Sequence, residues 1–354
     1  MAAVVAGAMA AGAMAAPLDL KQVAGDAQWV GHVDFDAVRD SSIVKKAMEK
    51  HLARHKNAEG HMKMCEMLIG MNPQKDLHGM TMYGMKVGKH KGVAILHAKV
   101  DRAKVEAWVS KLPGRQMAEH GDYKISVFNK KHGDKEHTLA ASWYGTEHLV
   151  MASSVDELKA ALDVLDGKSS SVGDDSALAG PIAKGTTVMM RATGIKDCDC
   201  VKHCPIGSRT ESFRFVVGEN DGKSFFRSRS TMTNSEIVGD LGTVVEGVQA
   251  AVRIHCNGNE QGLRIANGLK VKADGNTLTL LWSASADDVW EQAEFHAKVI
   301  KEKIAEMKKH HRKHGGKCKG KCPKCDDKCP GDKCPSKDKD KDKKAEKSSE
   351  EDEI

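Results

Sequence analysis

The sequence predicts an α+β protein of two duplicated halves, each an antiparallel sheet with helices packed on one face, plus a disordered C-terminal tail. Three observations carry this. Residues 137–165 read strand, Gly turn, strand, helix, and residues 269–300 read the same again. Ser154-Val155-Asp156-Glu157-Leu158 matches Ser285-Ala286-Asp287-Asp288-Val289, each a Ser at an N-cap with a carboxylate three positions later. Asp101 and Thr233 each head a helix that follows a hairpin, and the interval between them nearly equals that from Ser154 to Ser285. Two landmarks agreeing so closely argue for duplication, and hairpins followed by helices argue against a doubly wound parallel sheet.

The chain opens on MAAVVAGAMAAGAMAAPLDL, a run of small apolar residues containing Ala13-Met14-Ala15 and closed by Pro17. That A-x-A pattern predicts a signal peptide over 1–15 and export, periplasmic or secreted. No later segment approaches about 18 apolar residues, so no transmembrane segment is expected in the mature protein.

The first repeat covers 16–165. Gln28 to Val33 reads as a buried strand, Asp34 or Asp36 caps the helix that follows, and a second helix spans 58–69. Met64, Met67 and Met71 step at helical spacing and are expected in the core. Residues 76–87 and 92–100 form a hairpin in which Ala94, Leu96, Ala98 and Val100 alternate onto one face. The helix after Asp101 stops before Pro113-Gly114, and Tyr123 to Lys130 is another strand. Residues 166–176, DGKSSSVGDDS, form a linker.

The second repeat, 177–307, replays this order without the early helices, which a Cys-containing loop replaces. Its last helix carries an apolar stripe from Ala286 to Met307. Over Trp29 to Ser42, WVGHVDFDAVRDSS, the chain resembles the opening of an uncharacterised family of exported bacterial α+β proteins. The resemblance implies export and an α+β body, and it brings no activity with it.

The net charge of +6 over 354 residues resides almost wholly in the tail, 308–354. Ahead of Met307 there are 39 basic and 38 acidic side chains, so the body lacks the bulk basic footprint of a nucleic-acid binder. Lys308 to Lys337 hold 11 basic and three acidic residues, enough to tether the chain to acidic polymers or an anionic surface.

The same tail has the densest chemistry. Cys318, Cys322, Cys325, Cys329 and Cys334 follow His310, His311 and His314. Thiolate and imidazole so closely spaced can enclose zinc or copper, while in an oxidising compartment the thiols can instead form disulfides. A second cluster, Cys198, Cys200, His203 and Cys204, offers a weaker metal set or a local disulfide joining Cys198 or Cys200 to Cys204. His32, Asp34 and Asp36 alternate at a strand end, but each Asp is also a natural N-cap. Gly218 to Ser224, GENDGKS, fits a hairpin turn better than a phosphate loop. Neither Gly-x-Ser-x-Gly nor His-Glu-x-x-His occurs, so no reaction is indicated. The reading is an exported, non-catalytic protein with a metal-binding tail. An interaction scaffold and an unrecognised hydrolase are the alternatives.

Overall fold

The computed structural model describes residues 18–314 apart from 56, 89–90, 133–134 and 257. The first half runs β1 (Trp29–Asp34), α1 (Phe35–Asp40), α2 (Ser42–Arg54), α3 (Ala58–Ile69), β2 (Leu77–Gly84), β3 (Val93–Ala98) and α4 (Arg102–Val109). It closes with β4 (Arg115–His120), β5 (Tyr123–His132), β6 (Lys135–Tyr144), β7 (His148–Ala152) and α5 (Val155–Leu165). The second half runs β8 (Thr186–Thr193), β9 (Thr210–Asn220), β10 (Lys223–Met232), α6 (Ser235–His255), α7 (Glu260–Asn267), β11 (Leu269–Asp274), β12 (Thr277–Ser285) and α8 (Ala286–His314).

The α+β class holds, and both halves belong to one antiparallel sheet ordered β11-β12-β10-β9-β8-β1-β2-β3-β7-β6-β5-β4. The halves join edge to edge through β1 and β8, with Val30 opposite Arg191. Reading outward from that seam, β1-β2-β3-β7-β6 matches β8-β9-β10-β12-β11, and the first half adds the β4–β5 hairpin. Register repeats with order. Ile95 faces Val150. Arg227 and Leu281 follow these two by the same intervals that separate Asp101 from Thr233 and Ser154 from Ser285, and they face each other in the same way. The spacing of the caps is therefore the spacing of the strands.

The first core lies between α5 and one sheet face, where Leu158 and Leu162 pack with Val30, Tyr83, Ile95, Ile125, Ala140 and Val150. Ser154 accepts from the Glu157 N–H at 3.2 Å, as a cap should. Glu157 turns to the Ser153 hydroxyl instead of closing the capping box. The 166–185 connection adds to this core: the Val172 N–H bonds to the Val23 carbonyl, and Val172 and Leu178 are buried. A smaller core lies under α6, built from Met232, Val238 and Leu278 with Val271 and Leu280. Val271, Leu278 and Leu280 alternate along β11 and β12 with Lys270, Lys272, Thr279 and Leu281. Thus α6 covers the opposite face from the one α5 covers, and the helices are divided between both faces.

Two expectations are corrected. The cap of α6 is Asn234, one residue after Thr233, and it accepts from the Ile237 N–H at 3.0 Å. Met64 and Met67 are exposed, Met67 to 72%, because α3 packs mainly against α4 and leaves its other side to solvent. The chain forms one compact unit through Gln292 and a second from Ala293 onward. In the second unit Ile300, Ile304 and Met307 are exposed. No described helix is long and apolar enough to cross a membrane.

Candidate functional site

The predicted metal residues fall in two places. Cys318, Cys322, Cys325, Cys329 and Cys334 lie outside the described residues, and His310, His311 and His314 fall at the end of α8. In the loop after β8, Cys198 is joined to Cys200, and Cys204 is a free, exposed thiol whose sulfur accepts from the Gly207 N–H. The disulfide thus closes two residues apart and bypasses Cys204. Gly88 packs against it: at φ +78° a Cβ there would sit 2.3 Å from the Cys198 Sγ, so only glycine fits. His203 is exposed nearby. Among the described residues, no three His, Cys, Asp or Glu side chains converge as a metal would require. Asp34 caps α1 by accepting from the Ala37 N–H at 2.8 Å, and His32 Nδ1 lies 2.9 Å from Thr81 Oγ1.

What the sequence hides is a row of rings crossing the first half. Asp34 faces Gly79, Gly79 faces His97, His97 faces His148 and His148 faces Tyr144, on five adjacent strands. A register shift between Leu77 and Gly79 brings His78 into the row. Its ring centroid lies 5.2 Å from that of His97, and His97 stacks on His148 at 4.8 Å. Tyr144 lies edge-on to His148 at 6.4 Å, and Tyr123 stacks on Tyr144 at 6.2 Å. Carboxylates line this row. Asp36 meets His78 at 3.1 Å, Glu147 meets His97 at 3.2 Å, and Asp163 meets His120, the residue opposite Tyr123, at 2.8 Å. The Tyr123 hydroxyl donates to Asp166 at 2.6 Å and that of Tyr144 to the Leu165 carbonyl at 2.8 Å, so the row is tied to the end of α5. Burial lowers the pKa of His148, and the neighbouring His97 lowers it further. Burial raises that of the Tyr123 phenol, helped by Asp166.

The duplicate of this row is entirely different chemistry. Following the strand correspondence, Asp34, Gly79, His97, His148 and Tyr144 become Arg191, Arg214, Arg229, Thr279 and Lys272, each facing the next across the sheet. Arg227 and Lys270 flank Leu281 two residues along, on the same face. Six cations from four strands therefore share one surface. Asp274 pairs with Lys272 at 3.2 Å, and no described carboxylate pairs with any of the four arginines. Like charges placed opposite each other on a sheet cost roughly 0.2–1 kcal/mol per pair, so this row is held against a local penalty.

Arg191 is 3% exposed and donates to the carbonyls of Leu178 (2.7 Å), Gly180 (2.9 Å) and Pro181 (3.1 Å). Its burial, and after it the charge on Arg214, lowers its pKa. With Arg214, Arg227 and Arg229 it lines a hollow of about 250 Å³ that residues 181–183 wall on one side. Arg227 and Arg229 are exposed, and Leu281 is 42% exposed. Arg227 also lies over the Phe225 ring at 5.2 Å. Neither row had a sequence signal, since each is assembled from single residues on separate strands.

No protein-family model matches the chain, and no curated protein does. Among solved structures, three crystal forms of TP0453 are similar. Form III is 9% identical with a TM-score of 0.43, covering 78% of this chain and 98% of that one. Form I is 9% identical at 0.41 and form IV 7% identical at 0.41, covering 96% and 97% of those chains and 78% of this one in each case.

Proposed function

We propose that the chain is an exported, non-catalytic interaction protein that uses the second half of its sheet as the working surface. A separate, Cys/His-rich tail would hold soft or borderline metal ions such as zinc or copper. One observation carries the first part. The face of β9–β12 opposite α6 is exposed and basic, whereas the corresponding face of the first half is the apolar core under α5. Five cations on these strands, with the buried Arg191 beside them on β8, against one paired carboxylate suit an anionic partner, for which the tail alone is the tether expected from the sequence. The Cys198–Cys200 disulfide supports export, because such bonds persist in oxidising compartments.

Two full-length variants separate the surfaces. One replaces Arg227, Lys270 and Lys272 with Gln; the other replaces the lysines of 308–337. Salt elution from a polyglutamate matrix is the readout, since exposed charge pairs are screened over about 10 Å at 0.1 M salt. The face variant is expected to elute at clearly lower salt. Unchanged elution there, with retention lost only in the tail variant, would exclude the sheet as the working surface.

A further inference from the structure

We propose that the arginine hollow between β8, β9, β10, β12 and residues 181–183 is a binding site for a phosphate group, as the free ion or as the end of a small ester. The inference deepens the reading of this face as the working surface by naming what its centre binds. Arg191 sets the floor. Its guanidinium is fixed by three carbonyls, which orient the group but leave its positive charge uncancelled. Arg214 stands beside it, under Gly180. That residue has φ +122°, a conformation that favours glycine, and its Cβ position lies in ordinary van der Waals contact, 3.5 Å, with the Arg214 Nη1. Arg229 faces Arg214 from the third strand, and Arg227 lies two residues along the same face.

The geometry selects the ligand class. A carboxylate offers two acceptors in one plane and saturates with one guanidinium. A tetrahedral phosphate offers acceptors in several directions, and guanidiniums arriving from three strands are what it can use at once. The charge balance agrees, because no described carboxylate competes for these arginines, whereas Lys272, further out, is already paired with Asp274. Size limits the rest. At about 250 Å³ the hollow is smaller than the roughly 300–1,000 Å³ typical of drug-sized ligands. Pro181, Ile182 and Leu281 in its lining leave room for a short neutral remainder on an ester.

The test is calorimetric titration of the full chain at pH 7 and low salt with inorganic phosphate, methyl phosphate and acetate. Phosphate is expected to bind saturably at one site and acetate at least about tenfold more weakly, since charge-assisted hydrogen bonds are worth about 1.5–3 kcal/mol each. Equal binding of methyl phosphate assigns the site to an ester end group; its exclusion assigns the free ion. R229Q, at an exposed side chain, and R214Q/R229Q should each weaken phosphate about tenfold or more without lowering the unfolding midpoint. K270Q/K272Q should leave phosphate binding unchanged while lowering retention on polyglutamate. Phosphate binding that is absent, or intact in folded R214Q/R229Q, would overturn the site. If polyglutamate retention by the face survives that result, the working-surface reading stands without it.

Discussion

Ile95 and Arg227 occupy the same place in the two halves, and truncating each should give very different results. Ile95 is 2% exposed and packs under α5 with Val150, Leu158 and Leu162. Removing its outer carbons loses transfer energy and leaves a cavity, so I95A should cost about 2–5 kcal/mol. Arg227 stands on the open face with its guanidinium over Phe225. R227A gives up a cation–π contact of about 0.5–1 kcal/mol, and the residues opposite it, Val216 and Leu281, are uncharged, so the net change should stay within about 1 kcal/mol. The harsher pair sharpens the contrast. I95R would bury an unpaired charge costing several kcal/mol, against a total stability of about 5–15 kcal/mol, and should abolish the native state. R227I should fold. Urea unfolding with the slope held common reports all four. Similar losses for I95A and R227A would refute the claim that one half's core is the other's open surface.

Three further outcomes are expected. Burial and His97 lower the pKa of His148, so its neutral form is favoured in the fold; the stability it contributes is full above the ordinary value of 6.5 and is lost as pH falls below it. The stability difference between wild type and H148Q should therefore shrink from pH 7.5 to 5, by at most about 1.4 kcal/mol per pH unit, and a flat difference in pH-series urea melts would contradict this. N-terminal sequencing of the mature protein should start near Ala16; an intact Met1 on a cytoplasmic product would remove the export argument. The reduced tail should bind about one zinc or copper ion with proton release, and Cys322→Ser with Cys325→Ser should weaken that sharply while a chelator leaves urea unfolding of the body unchanged.

The architecture was legible because it is written locally. Caps such as Asp101 and Ser154 act on N–H groups three residues away, and Gly-centred hairpins fix register through adjacent residues. The near-equal intervals from Asp101 to Thr233 and from Ser154 to Ser285 then predicted which strands correspond. The joining of the two sheets at β1 and β8 was not legible, because Val30 opposite Arg191 is a pairing between residues far apart in the chain, with no local pattern to announce it. The rows were hidden for the same reason. Arg191, Arg214 and Arg229 each sit in an ordinary strand pattern, and a net charge averaged over the body cancels a patch that folding concentrates. Exposure of Met64 and Met67 was missed because helical spacing shows which residues share a face, but not whether a partner covers that face.

The two rows together suggest how duplication was used. One sheet position tolerates imidazoles and phenols in the first half and guanidiniums in the second, because the surroundings differ. In the first half the row lies beside the apolar core, and the end of α5 supplies Asp163, Asp166 and the Leu165 carbonyl as partners. Rings suit that place: they stack on one another and leave their polar edges for these acceptors. In the second half the face beyond Arg191 is open to water, so exposed cations there keep their hydration and cost only mutual repulsion. A stable half that already carries the larger core lets its copy hold such an arrangement, since the shared seam at β1 and β8 ties both to one sheet. On the proposed reading, stability rests with the first half and binding with the second, and substitutions in the arginine row should lower ligand affinity without lowering stability.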